Sequence, residues 1–112
     1  MDVQVKTLED GITLIEPHGD IDGSTAPLLQ EKILAAAQPN SRLLLDMSGV
    51  DFMSSAGLRV MLLLYRQISG NNGRVILAGL NESIEDAMSA TGFLKFFSTA
   101  KDRESGLQQL RQ

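Results

Sequence analysis

Arg42-Leu43-Leu44-Leu45-Asp46-Met47 is a short, unbroken apolar run, the pattern of a strand covered on both faces. A second run, Arg74-Val75-Ile76-Leu77-Ala78-Gly79, follows after one helical stretch. That helix is expected to begin at Ser54-Ser55-Ala56-Gly57 and to continue for about fifteen residues, as far as Gly70-Asn71-Asn72-Gly73. Strand, helix, strand implies a right-handed parallel crossover, which confines the chain to α/β folds with helices packed on a sheet.

The remaining elements fit around that unit. Val3 and Val5 alternate with polar residues, Glu9-Asp10-Gly11 supplies turn chemistry, and Ile12-Thr13-Leu14-Ile15 reads as the second strand of an opening hairpin. Pro17 and Gly19 interrupt it, and Asp20-Ile21-Asp22-Gly23-Ser24-Thr25 follows as a polar loop with one apolar anchor, Ile21. Ser24 or Thr25 is expected to cap a first helix that tolerates Pro27 in its first turn, carries Leu29, Ile33 and Ala36 or Ala37 at helical spacing, and ends near Gln38 before Pro39-Asn40-Ser41. A third helix should open at Asn81 and end by Gly92, followed by the compact apolar segment Phe93-Leu94-Lys95-Phe96-Phe97. Residues 102–111, with Leu107 and Leu110, read as a last amphipathic helix. The expectation is one domain over residues 1–112, with a mixed sheet of four to five strands, an N-terminal hairpin and helices packed on it.

A chain of 112 residues that is 43% hydrophobic can bury one core without metal or disulfide staples, and it contains no cysteine. Its formal charge of -4, with the ten Lys and Arg scattered, argues against nucleic acid as a partner. Met1-Asp2-Val3-Gln4-Val5-Lys6 lacks the form of a signal peptide. The longest apolar run, residues 60–65, falls far short of the roughly 20 residues of a membrane span, so a cytoplasmic location away from membranes is expected.

Enzyme chemistry fails on inventory. A nucleophilic serine needs a positioned base, and the one histidine, His18, lies between Pro17 and Gly19 and reads as a strand-end residue. Asp20, Asp22, Asp46 and Asp51 are of the right type for magnesium, but loop acids are ordinarily just solvated, and neither a metal nor a cofactor is expected. No phosphate-cradling glycine loop is present. Asp46 at a strand end could be the phosphoacceptor of a receiver domain, but receivers lack an opening hairpin.

The start of the second helix is different. Ser54 and Ser55 fall where a helix exposes unpaired backbone N–H groups, and Gly57 keeps bulk out of its first turn. A phosphate carried there gains roughly 0.3–1 kcal/mol from the helix dipole. The same helix is apolar nearly all round except for Arg59, Arg66 and Gln67, with Leu63 in the middle of that polar stripe. Either Leu63 is a single exposed leucine on a packed helix, or Arg59, Leu63 and Arg66 belong to a docking surface beside the serines.

Asp46-Met47-Ser48-Gly49-Val50-Asp51-Phe52-Met53-Ser54-Ser55-Ala56-Gly57-Leu58 closely resembles the signature of the anti-sigma factor antagonists, the bacterial members of the STAS domain family. Gly19-Asp20-Ile21-Asp22 and Ala90-Thr91-Gly92-Phe93 resemble two further segments of that family, and the order of elements agrees. The family's commonest switch is Asp-Ser-Ser/Thr-Gly, phosphorylated on the first hydroxyl residue after the aspartate. Aligned on Phe52-Met53 and Gly57-Leu58, Ser54 takes the aspartate position, Ser55 the phosphoacceptor and Ala56 the next hydroxyl position, with Ser54 an alternative acceptor.

The resemblance implies a partner switch. The unphosphorylated domain binds an anti-sigma factor that is itself a serine kinase, which frees a sigma factor for transcription. Phosphorylation of Ser55 ends that binding, and a metal-dependent serine phosphatase restores it. The expected docking rim comprises Asp20, Asp22, Ser24, Thr25, Ser54, Ala56, Gly57, Arg59, Leu63 and Arg66, on a monomer that forms heterocomplexes. A STAS module acting on a different regulator, such as a cyclase or phosphatase pathway, is the competing expectation. Nucleotide binding by the domain itself is disfavoured for want of a phosphate loop.

Overall fold

In the computed structural model, which describes residues 1–8 and 10–112, five strands form one sheet in the order β1-β2-β3-β4-β5. β1 (Asp2–Thr7) and β2 (Ile12–His18) make the expected antiparallel hairpin, with Val5 opposite Ile15; Glu9 of the anticipated turn lies outside the described residues. β3 (Arg42–Asp46) is central, parallel to β2 on one side and to β4 (Arg74–Ala78) on the other. β5 (Ser98–Ala100) adds in parallel to β4. This strand had no signal of its own, because three residues of Ser-Thr-Ala carry no apolar alternation. A 3-10 turn at Leu94–Phe96 immediately precedes it. The helices are α1 (Ala26–Ala36), α2 (Ser55–Gly70), α3 (Glu82–Ala90) and α4 (Arg103–Arg111).

Strand parity divides the core. Leu43 and Leu45 of β3 and Val75 and Leu77 of β4 pack with Leu29 and Ile33 of α1, Leu58, Met61, Leu64 and Ile68 of α2, and Ile84 and Met88 of α3. Leu44, Ile76 and Ala78 point the other way, onto Ile12, Leu14 and Leu110. α4 comes close there because Gly106 has no side chain: a Cβ on it would lie 2.6 Å from a methyl of Leu44.

Polar contacts fix both ends of α4. Asp102 caps its start by accepting from the Ser105 N–H at 2.9 Å. Arg103 donates to Asp46 Oδ2 at 2.7 Å and to Glu16 Oε2 at 2.9 Å. At the other end, Arg42 and Arg74 donate to the backbone oxygens of Leu110 and Gln109, as cations should at a helix C-terminus.

Asp46 is therefore not the exposed carboxylate of a receiver. Its side chain is buried on the α4 face, with Oδ2 on Arg103 and Oδ1 accepting from the Ser48 hydroxyl at 2.7 Å. Nor do the acids considered for magnesium converge; among the described residues no three acids or histidine form a metal-binding group.

Burial pushes the Asp46 carboxyl up, but the Ser48 hydroxyl and the Arg103 guanidinium outweigh it and hold the group below its ordinary 3.8. The unfolded chain thus binds this proton more tightly than the folded one. The contribution of Asp46 is complete above that ordinary value and disappears as pH falls through the lower folded value. Asp46→Asn should cost about 1.5–3 kcal/mol at pH 7 in urea unfolding, as expected for hydrogen bonds to a charged group, and the deficit should shrink on acidification. A deficit that does not change with pH would contradict this account.

Candidate functional site

α1, α2 and α3 all begin at the carboxyl end of the parallel strands, and the loops that feed them are sewn to one another. Ile21 N–H donates to Phe52 O at 2.9 Å and Ser54 N–H donates to Ile21 O at 2.8 Å, so Ile21 and Met53 form a single parallel bridge between the loops. Asn81, the cap of α3, accepts from Ile84 N–H at 2.8 Å and donates to Asp51 O at 3.0 Å, which ties the third helix to the same loop.

Ser54 is the N-cap of α2. Its backbone is extended, with φ −76° and ψ 168°, and its Oγ accepts from the Gly57 N–H at 3.1 Å. Gly57 is indispensable for a steric reason: a Cβ there would lie 2.7 Å from Ile21 O and 2.8 Å from Ile21 Cγ2. Gly57, expected in the docking rim, is buried and packs against Ile21.

The loop before α1 also differs from expectation. Neither Ser24 nor Thr25 caps the helix by its side chain. Asp22 organises the loop instead: its Oδ1 accepts from the Ser24 hydroxyl at 2.8 Å and from the N–H groups of Ser24 and Thr25 at 2.9 and 3.0 Å. Those contacts, led by the Ser24 hydroxyl, lower its pKa. The Thr25 hydroxyl donates inward to Asp20 O at 2.7 Å, so Thr25 holds the loop, while Asp20 and Ser24 remain exposed.

Ser55, the first residue of α2, is exposed, and among the described residues its hydroxyl has no hydrogen-bond partner. Ala56 follows, also exposed, beside Gly23 of the neighbouring loop. Arg59, Leu63 and Arg66 are exposed along the same face, within about 80° of Ser55 around the helix at 100° per residue. Leu63 is 53% exposed. Arg66 does not join the serines; at 1.5 Å per residue it lies about 16 Å along the axis from Ser55, with its guanidinium 6.0 Å from the Phe96 ring centroid.

Phe52 was missed as a surface residue. It is 52% exposed beside the serines, whereas Met53 is buried. Adjacent residues of an extended segment point to opposite sides, so once Met53 bridges to Ile21 its neighbour must face out. His18 lies at the end of β2 against Gly49, where a Cβ would collide with the imidazole.

These features define a class of small α/β domains that present a helix start, opened by an exposed serine, at the carboxyl end of a mixed sheet. The sequence profile of the STAS domain matches residues 4–106, and the chain belongs to the STAS domain family. It is 31% identical over 97 residues to BtrV of Bordetella bronchiseptica, assigned as an anti-sigma factor antagonist, spanning 86% of this chain and 84% of that protein. Identity to the anti-sigma-B factor antagonist of Bacillus subtilis is 28% over 108 residues, covering 96% and 98% of the two chains. The crystal structure of an anti-sigma factor antagonist from Mycobacterium paratuberculosis matches with a TM-score of 0.86 and 25% identity, over 99% of this chain and 94% of that one.

Gly57→Ala should destabilise the protein by about 1–3 kcal/mol, because Ile21 cannot retreat without breaking the bridge to Met53. Ser54→Ala should cost about 1 kcal/mol through loss of the cap. Urea midpoints at constant m-value check both; wild-type stability of Gly57→Ala would refute the packing account.

Proposed function

We propose that this protein is an anti-sigma factor antagonist controlled by phosphorylation of Ser55. In the unphosphorylated state it binds an anti-sigma factor that is also a serine kinase; the phosphorylated form is released, and a metal-dependent serine phosphatase resets it. The observation that carries this reading is the contrast between the two serines. Ser54 spends its hydroxyl on the cap of α2, whereas Ser55 presents a free, exposed one on the helix face shared with Arg59 and Leu63.

The anti-sigma factor antagonist relatives support the regulatory role. The geometry supports a switch by surface charge. A phosphate adds about −1.5 to −2 charges to a site flanked by Asp20, Asp22 and Asp51. Like charge brought against a partner's matching surface weakens docking without any refolding of the cap.

Phosphorylation by the purified kinase partner, read by intact mass and peptide mapping, should place one phosphate on Ser55 and none on Ser55→Ala. That variant should still bind the partner, while Ser55→Glu should lose about tenfold or more in affinity. Phosphate appearing on another residue in Ser55→Ala would overturn the assignment. Leu63→Glu should change unfolding free energy by no more than about 0.5 kcal/mol yet weaken the complex about tenfold or more, since Leu63 is 53% exposed and outside both core clusters.

A further inference from the structure

We infer that a phosphate on Ser55 is held by Arg59 of the same helix, so that phosphorylation also withdraws a positive charge from the docking face. The inference rests on the phosphorylation proposed for Ser55. Residues four apart on a helix are neighbours, about 5–6 Å between Cβ atoms, and an acid placed N-terminal to a base at this spacing is the favourable orientation. Ser55 and Arg59 have that spacing and order, and both are exposed. Among the described residues Arg59 makes no ion pair and no side-chain hydrogen bond, so its guanidinium is free to take the new partner.

The arrangement is selective for this serine. Four residues beyond Ser54 stands Leu58, which is buried, and four beyond Ala56 stands Val60. Arg59 is the one cation in the first two turns of α2, and Arg66 lies over Phe96. The loops and helix starts beside α2 carry acids, Asp20 and Asp22 before α1, Asp51 before α2, and Glu82 and Glu85 in the first turn of α3; of the cations at this end of the sheet, Arg103 is taken up by Asp46 and Glu16, Lys101 follows β5, and the Met1 amino group and His18 sit at the hairpin edge. A phosphate with three acceptor oxygens matches the forked donors of arginine, whereas the serine hydroxyl does not engage them. Pairing then changes the docking face twice, by adding the phosphate and by taking up Arg59.

Protein carrying phosphoserine at position 55, installed during synthesis, tests this by 31P NMR titration at low salt. The second ionisation of the phosphate, ordinarily near about 6, should fall at lower pH in the Arg59 protein than in Arg59→Gln, by a few tenths of a unit. Arg59→Lys should keep part of the difference, and about 1 M salt, with a Debye length of about 3 Å, should abolish it. Superimposable low-salt titrations of the Arg59 and Arg59→Gln proteins would overturn the inference. Protein from its own cell lacking phosphate on Ser55 would instead count against the phosphorylation proposal, leaving the titration result to stand by itself.

Discussion

The backbone oxygen of Ile21 lies almost where a side chain on residue 57 would have to be, and the serine end of the molecule depends on that contact. Because Gly57 admits Ile21, the loop before α1 can pair with the loop before α2 through the Ile21–Met53 bridge. Pairing places Met53 inside and Phe52 outside, sets Ser54 in the extended conformation that an N-cap requires, and leaves Ser55 as the first exposed residue of the helix. The distinction between two adjacent serines, one structural and one free, is thus a consequence of packing beneath them.

The sheet was readable from residue pattern where burial dominates. The apolar runs of β3 and β4 are covered on both faces and carry the signal of that burial, and the hairpin announces itself by alternation. β5 was not readable, since the three small residues Ser98, Thr99 and Ala100 become a strand by pairing with the edge that β4 offers. At the site, the helix start and its exposed stripe could be counted from spacing alone. The roles of Asp22, Thr25 and Gly57 could not, because each depends on a contact between separate loops or on which hydroxyl turns inward. Arg66 shares the helical angle of the serines, but spacing around a helix says nothing of distance along it, and Arg66 lies beside Phe96 toward the other end.

Charge is distributed differently on the two faces of the sheet. Behind the sheet, Arg103 pairs with a buried aspartate and a neighbouring glutamate, a network with a structural purpose. On the front, Arg59 is left open beside a cluster of acidic loops. Residues of the same chemical type therefore have opposite assignments, decided by whether a partner exists within the fold.

Arg42 and Arg74 hold the last turn of α4 at the amino ends of β3 and β4, and Gln112 follows directly from it. The serine lies beyond the opposite ends of those strands. A fluorophore or an affinity handle placed on an exposed position of the last turn of α4 would therefore stand at the pole opposite the helix start.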